Sequence, residues 1–230
     1  MPLQIGIVAC SAEGASLCYR TICAKGAQLQ GPHAHPAIAM HTHSLADYVE
    51  CIDRNDWEGV AELMLDSAAR LKSAGADFLI CPDNTIHHAF DLVAPHSPLP
   101  WLHIVDEVAT VAKARGFRKL AITGTKYTME GSVYQTKLPA AGIEYLVPDS
   151  DERARIDAII FDELVNGIFS DESRKYFQQV IGGMSHKGCD AVVLGCTEIP
   201  LLIDDVTSPL PTLDSTRILA RAALKKALEW

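Results

Sequence analysis

Two ionisable side chains follow apolar segments of the chain at matching positions. Asp83 comes two residues after the apolar run Phe78–Cys81, and Cys196 comes two residues after Ala191–Leu194. A carboxylate can accept or donate a proton, and a thiol can do the same or attack an electrophilic carbon. These residue types at the ends of two apolar segments indicate acid–base or nucleophilic chemistry.

An internal repeat relates the two segments and separates site residues from strand residues. Residues 75–86 align without a gap with residues 188–199, and both blocks begin with the pattern Gly-x-Asp. In this alignment Asp83 pairs with Cys196, whereas Cys81 pairs with a leucine of the second block. Cys81 is therefore predicted to be a buried strand residue, since a buried cysteine behaves as a small hydrophobe. Asp83 is predicted to carry the chemistry.

Short apolar runs alternate with amphipathic stretches along the chain, which is the pattern of βα units around a parallel sheet. The clearest predicted strands are Ile5–Ala9, Ala37–Met40, Phe78–Cys81, Leu120–Thr123 and Ala191–Leu194. The predicted helices are Trp57–Ser73, Ile104–Arg115, Arg153–Val165, Arg174–Lys187 and Ser215–Leu228. With the internal repeat, this pattern predicts an α/β protein of two pseudo-symmetric, doubly wound parallel-sheet lobes, with the site in the cleft between them.

Composition excludes several classes of partner. The chain has 230 residues and a formal charge of −9, which argues against an electrostatic footprint for nucleic acid. No apolar stretch approaches the roughly 18–20 residues that span a membrane. The seven scattered cysteines are typical of a reducing compartment rather than of a disulfide framework. We therefore expect a soluble, cytoplasmic protein that binds neither nucleic acid nor membrane.

The segment Val193–Ile199, which reads VLGCTEI, resembles the second catalytic-cysteine motif of the aspartate/glutamate racemase family. Asn84, Thr85 and His87 resemble the family's first motif, which reads Pro-Cys-Asn-Thr-x-His. Two further segments are similar, Gly124–Met129 with Tyr134 and Pro211–Thr216. The family contains cofactor-independent amino-acid racemases related to hydantoin racemases and arylmalonate decarboxylases.

The chain departs from the family pattern at two places. Asp83 stands where the family has its first catalytic cysteine, and Ala9–Gly14 stands where aspartate racemases have a glycine-rich turn. Some racemases of the family also keep only the second cysteine, as do the arylmalonate decarboxylases. The resemblance therefore implies the fold and the position of the site more strongly than it implies the reaction.

The resemblance implies racemisation of aspartate, glutamate or a related amino acid, with Cys196 and Asp83 exchanging protons with Cα from opposite sides. It also implies a homodimer, no cofactor and no metal, with lobes covering residues 1–98 plus 212–230 and residues 99–211. Cys196 is expected to ionise because a helix N-terminus lowers a thiol pKa. Asp83 is expected to act as a base if desolvation raises its pKa from about 3.9.

Hydroxyl and amide side chains near the predicted strand ends are candidates for binding the substrate carboxylate. They are Ser11, Asn84, Thr85, Thr125, Thr128 and Thr197. The alternative for each of them is ordinary helix capping, which Ser, Thr and Asn perform in most proteins.

His41 and His43 form an HxH pair, a spacing that can bind zinc. No cysteine or carboxylate nearby in the sequence completes an obvious tetrahedral set. We therefore expect no metal site, and we expect His43 to bind the substrate.

Two alternatives to racemisation remain open from the residues. A single Cys196 suits a decarboxylase that protonates one face of an enolate, or a cis–trans isomerase that adds to a double bond. A non-catalytic binding protein is the third interpretation, with Asp83 marking a lost catalytic residue. The retained Cys196, Asn84, Thr85 and Thr197 argue against that third interpretation.

Overall fold

The computed structural model describes residues 2–228 and divides them between two compact units. Unit 1 contains the chain up to Glu107 together with the segment from Thr216 onward, and unit 2 contains Val108–Ser215. Each unit holds a four-stranded sheet whose paired strands are all parallel. None of the helices within residues 2–228 is long and apolar enough to cross a membrane.

The sheet of unit 1 has the strand order β2-β1-β3-β4. Its strands are β1 (Ile5–Ala9), β2 (Ile38–Thr42), β3 (Phe78–Ile80) and β4 (Trp101–Leu102). The helices of this part of the chain are α1 (Ala12–Gln30), α2 (Leu45–Asp53), α3 (Trp57–Ser73), α4 (Phe90–Val93) and α5 (Ile104–Ala114). Thr85–Ala89 and Ala94–His96 are 3₁₀ turns.

The sheet of unit 2 repeats this arrangement in the order β6-β5-β7-β8. Its strands are β5 (Lys119–Thr123), β6 (Glu144–Leu146), β7 (Ala191–Leu194) and β8 (Thr212–Asp214). The helices that follow α5 are α6 (Lys126–Glu130), α7 (Ser132–Ala140), α8 (Ser150–Ala158), α9 (Asp171–His186), α10 (Ile199–Leu202) and α11 (Ser215–Leu228). The chain between α8 and α9 includes a π-helix, Ile159–Glu163, and a 3₁₀ turn, Leu164–Asn166.

The predicted repeat is present in the hydrogen bonding as well as in the strand order. The side chain of Asp77 accepts from the backbone N–H of Gln4 at 2.7 Å, at the start of β1 and β3. Its repeat partner Asp190 accepts from the backbone N–H of Arg118 at 2.8 Å, at the start of β5 and β7. Both aspartates therefore tie together the amino ends of the two central strands of their sheets, and the two units are pseudo-symmetric.

The core of each unit forms around its central strands. In unit 1 the apolar stripe of α3, consisting of Val60, Met64, Ala68 and Leu71, packs in one cluster with Val8 and other strand residues. These side chains recur at the helical period, so that one face of α3 is buried. The predicted bounds of α3 and α11 are confirmed.

The predicted helix Arg153–Val165 differs from the structure. The α-helical hydrogen bonding ends at Ala158 and is replaced by the π-helix and then by the 3₁₀ turn. The side chain of Asn166 donates to the backbone carbonyl of Asp162 at 3.1 Å, and Gly167 ends the segment at φ 74°. Apolar periodicity does not distinguish these helix types over one turn, so the sequence predicted a single helix.

Candidate active site

Asp83 lies just beyond the carboxyl end of β3, next to the end of β1. These strands are parallel neighbours with Ile7 opposite Ile80, so the same register continued beyond the strands brings Cys10 opposite Asp83. Burial first and the charge of the Asp83 side chain second raise the pKa of the Cys10 thiol well above its usual value. Sequence analysis did not place Cys10 near Asp83.

The backbone of Asp83 is held by buried groups of unit 1. Nδ1 of His87 lies 2.7 Å from the Asp83 carbonyl oxygen, and Nε2 of His87 accepts from the backbone N–H of Ile104 at 3.4 Å. Both contacts are satisfied by the neutral ring that carries its proton on Nδ1. His87 therefore fixes the turn that carries Asp83.

Cys81 is fully buried, as predicted, directly after the last residue of β3. Its Sγ faces the Asp83 carbonyl oxygen at 3.9 Å. Burial raises the pKa of this thiol well above its usual value. Cys81 is therefore a protonated packing residue.

Cys196 follows β7 in unit 2, and its Sγ donates to Oε2 of Glu198 at 2.9 Å. Glu198 is only 6% exposed and stands at the N-cap position of α10, yet its side chain caps no backbone N–H. The sequence predicted that a helix N-terminus would help Cys196 to ionise. The helix that follows Cys196, α10, has only four residues, so its dipole is small. The group that contacts the thiol in unit 2 is a buried carboxylate.

The turn that carries Cys196 is packed too tightly for any residue but glycine at its first position. A Cβ on Gly195 would lie 2.7 Å from the backbone oxygen of Thr123 and 2.9 Å from Cγ2 of Thr128. A Cβ on Gly124 would also lie 2.9 Å from Thr128. Thr128 is 2% exposed, and its methyl group fills the space that both glycines leave. Its hydroxyl lies 3.4 Å from that of Thr125, and its contact with the substrate stays a prediction.

The other predicted binding residues fall into two groups. Ser11 caps α1 by accepting from the backbone N–H of Gly14 at 3.2 Å, which is the capping alternative. Asn84 and Thr125 also stand at N-cap positions, but neither side chain makes a capping hydrogen bond. The capping explanation therefore holds for Ser11 and fails for Asn84 and Thr125.

Thr85 and Thr197 directly follow turn residues of the candidate site. Thr85 begins the 3₁₀ turn after Asn84 and is half-buried. Thr197 follows Cys196 and is 7% exposed. The turn of unit 1 therefore carries both Thr85 and Asp83, and the turn of unit 2 carries both Thr197 and Cys196.

Two hydroxyls that sequence analysis noted only as part of a motif support the candidate turns. In unit 2, Oγ of Ser215 donates to the backbone oxygen of Leu194 at 3.1 Å, just before Gly195 and Cys196. In unit 1, Oγ1 of Thr216 donates to the backbone oxygen of Pro82 at 3.3 Å, just before Asp83. These hydrogen bonds fix the carbonyl groups at the points where the chain leaves β3 and β7.

His41, His43 and Asp66 form a cluster in unit 1 whose possible metal-binding atoms lie within 4.8 Å of one another. Nε2 of His43 lies 2.9 Å from Oδ2 of Asp66. The same oxygen accepts from Nε of Arg70 at 2.7 Å. A guanidinium on this carboxylate opposes a bound cation, so the cluster fits an Arg–Asp–His chain better than a metal site. The contact of His43 with the substrate stays a prediction.

Comparison with known proteins identifies the family. The sequence model of the Asp/Glu/Hydantoin racemase family matches residues 7–223. The chain belongs to the Asp/Glu/Hydantoin racemase family. It is therefore an enzyme of the racemase class of isomerases.

Several relatives resemble the chain over most of its length. A broad-specificity amino-acid racemase of Bacillus subtilis, RacX, is 24% identical over 178 residues, which cover 76% of this chain and 75% of the relative. A crystal structure of a Yersinia pestis protein classed with the Asp/Glu racemases is 33% identical, with a TM-score of 0.92 and coverage of 99% of this chain and 100% of that one. An aspartate racemase homologue of Pyrococcus horikoshii is 28% identical, with a TM-score of 0.87 and coverage of 98% and 99%.

Proposed function

We propose that the protein is a cofactor-independent amino-acid racemase in which Asp83 and Cys196 exchange protons with the Cα atom of the substrate from opposite faces. The observation that carries this proposal is that Asp83 and Cys196 occupy equivalent positions in the two units, each just beyond the carboxyl end of the third strand of its sheet, β3 or β7. In unit 2 the Cys196 thiol also donates to the buried carboxylate of Glu198. Racemisation needs a base on one face and an acid on the other.

The proton transfers balance without any further reactant. In one direction the Asp83 carboxylate takes the α-proton, and the Cys196 thiol returns a proton to the opposite face. The product is released from an enzyme with a protonated Asp83 and a Cys196 thiolate. The opposite enantiomer is then processed by the reverse steps. Glu198 supports the opposite direction: when the free enzyme holds Cys196 as a thiol, the Glu198 carboxylate accepts from it and can take its proton, which leaves the thiolate that removes the α-proton.

The substrate is an amino acid, with aspartate, glutamate or a related residue as the class we propose. The relatives support this choice, since one is named a broad-specificity amino-acid racemase and another an aspartate racemase homologue. Asn84, Thr85, Thr125 and Thr197 are the groups we assign to the substrate carboxylate. Asn84 and Thr85 directly follow Asp83, and Thr197 directly follows Cys196, which supports the assignment. The Thr125 hydroxyl lies 3.4 Å from that of Thr128.

We also propose that the enzyme is a homodimer. Four large apolar side chains of unit 2 are exposed within nine residues of one another in sequence, and they are Phe161, Val165, Ile168 and Phe169. A surface segment of this kind is typical of a protein–protein contact. We call these four residues the 161–169 apolar segment.

The replacement of the family's first cysteine by Asp83 favours a second candidate function. If Asp83 only orients the substrate, Cys196 alone would protonate one face of an enolate or add to a double bond. The corresponding activities are decarboxylation of a malonate-type acid and cis–trans isomerisation of an unsaturated diacid.

The test is proton NMR of a panel of L- and D-amino acids incubated with the enzyme in D₂O, followed by chiral chromatography. The proposal predicts loss of the α-proton signal together with the appearance of the opposite enantiomer. An enzyme that exchanges no α-proton anywhere in the panel, yet converts malonates or maleate-like diacids, would establish the second candidate instead.

A further inference from the structure

We propose that His87 and His103 are positioning residues for Asp83, because together they connect the first turn of α5 to the backbone carbonyl of Asp83. In this arrangement the start of α5 selects which nitrogen of His87 carries the proton, and that proton holds the turn of Asp83. The inference rests on the proposed function only for its effect on turnover, since the hydrogen bonds can be tested without a substrate.

The two histidines cap the first two backbone N–H groups of α5. Nε2 of His87 accepts from the N–H of Ile104 at 3.4 Å, and Nδ1 of His103 accepts from the N–H of Val105 at 3.2 Å. The helix begins at Ile104, and the His103 carbonyl accepts from the N–H of Glu107 at 3.2 Å, so His103 is the N-cap residue. Because the first N–H groups of a helix have no partner within it, both imidazoles supply acceptors that α5 needs.

These contacts assign opposite tautomers to the two rings. Nδ1 of His87 lies 2.7 Å from the Asp83 carbonyl oxygen, which can only accept, so Nδ1 carries the proton and Nε2 is the acceptor. In His103 the acceptor is Nδ1, so the proton is on Nε2. The other His87 tautomer would set two donors against each other at Ile104 and two acceptors at Asp83. The N–H of Ile104 therefore selects the tautomer that donates to Asp83.

Burial and ring packing hold the two imidazoles in these orientations. His87 is 3% exposed and His103 is 6% exposed. Their ring centroids lie 4.6 Å apart, and the ring of Phe90 packs against both, at 5.8 Å from His87 and 4.6 Å from His103. A flip of either ring would present carbon to a buried backbone group and leave that group without its hydrogen bond, which is costly. The neighbours of His87 therefore fix its orientation together with Asp83.

The repeat shows that helix capping alone does not account for these histidines. The sequence LPWLH that ends at His103 corresponds to LPTLD that ends at Asp214, and each directly precedes a helix, α5 or α11. Aspartate is among the residues preferred at an N-cap, and histidine is not. One position beyond the ungapped repeat, His87 stands opposite Pro200, which has no side-chain donor. Both histidines are therefore particular to the unit that carries Asp83.

Nitrogen NMR of the two rings tests the hydrogen bonds directly. In enzyme labelled with ¹⁵N-histidine, two-bond ¹H–¹⁵N spectra show which ring nitrogen carries the proton. The proton should be on Nδ1 in His87 and on Nε2 in His103, with each signal identified by its absence in His87→Asn or His103→Asn. A His87 ring with its proton on Nε2, or a doubly protonated ring at the pH of the activity assay, would overturn the inference.

Two variants of His87 each keep one half of the connection. In His87→Asn the amide nitrogen is as many bonds from Cα as Nδ1, so a donor to the Asp83 carbonyl remains and the acceptor for Ile104 is lost. In His87→Gln an amide oxygen reaches the position of Nε2, so the acceptor remains and the donor is lost. We expect kcat of His87→Gln to be roughly tenfold to a hundredfold below that of His87→Asn, at similar KM, for the enantiomer whose proton Asp83 takes. A purely structural role would lower stability in both variants and leave their kcat values equal.

Two variants of His103 test its cap. Asparagine keeps a side-chain acceptor for the N–H of Val105, whereas alanine does not. The backbone amide signal of Asn84 should therefore move further in His103→Ala than in His103→Asn. Asp56→Ala is the matched control, because Asp56 caps α3 by accepting from a backbone N–H of its first turn at 2.8 Å. This control should lower the unfolding midpoint without moving the Asn84 signal or kcat. An Asn84 signal that stays in place in His103→Ala would overturn the role of His103.

The NMR signals separate a failure of this inference from a failure of the proposed function. The expected tautomers and a displaced Asn84 signal in an enzyme that exchanges no α-proton would support the connection from α5 to Asp83 and contradict the racemase proposal alone. An active racemase in which His87→Asn and His87→Gln have equal kcat would support the proposed function and overturn this inference.

Discussion

At the scale of single residues, Glu198 has a role that its local sequence leaves open. A glutamate that precedes a short helix is as readily a helix cap as a site residue. In the structure its buried carboxylate accepts from the Cys196 thiol and caps nothing. Hydrogen bonds of this kind depend on the rotamer of the glutamate, which a sequence pattern does not specify.

Replacing Glu198 by Gln should reduce turnover while preserving the fold. The amide has the same size but cannot take the thiol proton, so the Cys196 thiolate forms less readily. We expect kcat to fall on the order of 10²-fold for the enantiomer whose proton Cys196 takes, as measured by initial rates from each pure enantiomer.

Glu163→Gln is the control for this variant. Glu163 is a carboxylate of unit 2 that accepts from Ser170 and Ser173. Its replacement should alter stability but not kcat. Wild-type rates from both enantiomers in Glu198→Gln would show that Glu198 has no part in the proton transfer.

The sequence predicted some residues of the site and missed others for identifiable reasons. The ungapped repeat correctly separated buried Cys81 from the ionisable position of Asp83, because the repeat preserves the distance from the strand. It did not place Cys10 near Asp83, since one sequence does not show which strands are neighbours. The capping of α1 by Ser11 was one of two alternatives, and only backbone geometry distinguishes them.

At the scale of elements, the turn between β7 and α10 combines tight packing at Gly195 with the candidate acid–base residue Cys196. Gly195 donates its backbone N–H to Thr123 at 2.8 Å while Thr128 packs over it. The position of Cys196 therefore depends on the absence of a side chain at the preceding residue.

Gly195→Ala should destabilise the protein and reduce turnover together. The added Cβ would meet a backbone oxygen at 2.7 Å, which forces the turn to move and costs about 1–3 kcal/mol. Urea unfolding would measure the loss.

Gly182→Ala is the control, because Gly182 lies in α9 and an added Cβ meets nothing within 4 Å. That change should stabilise by about 0.5–1 kcal/mol. An unfolding midpoint of Gly195→Ala equal to that of the wild type would contradict this account of the turn.

A helix or strand could be predicted where its own residues determine its periodicity and its ends. The helix Trp57–Ser73 has an unbroken apolar stripe and an N-cap aspartate, Asp56, and its bounds are confirmed. The prediction of an α-helix over residues 159–166 was wrong. In this segment the Asn166 side chain donates to the backbone oxygens of Phe161 and Asp162, and a local apolar pattern does not show such bonds. The short strand Trp101–Leu102 exists only through its pairing with β3, which a local pattern cannot show.

At the scale of the whole molecule, the duplicated topology accompanies the family match that identifies a racemase. Both sheets have the same strand order, and the family match spans residues 7–223. In the homodimer that we propose, the 161–169 apolar segment forms the contact between the two copies of the chain.

The proposed homodimer predicts that the wild type has the mass of two chains and that the double variant Phe161→Ser with Ile168→Ser has the mass of one. Removing two large apolar side chains deprives the contact of buried area. Light scattering coupled to size-exclusion chromatography would measure the mass. Val206→Ser, at a side chain that is 91% exposed and lies outside the segment, should leave the dimer intact. A dimer that persists in the double variant would place the contact elsewhere.

The most direct test of the central claim is α-proton exchange in D₂O by two single variants, Cys196→Ser and Asp83→Asn, each given the pure enantiomers of the best substrate. A base that remains on one face can still take a proton and return deuterium there without inversion. The account predicts that Cys196→Ser labels one enantiomer, that Asp83→Asn labels the other, and that neither variant racemises. Labelling of the same enantiomer by both variants, or full racemisation by either one, would contradict a mechanism with one base on each face.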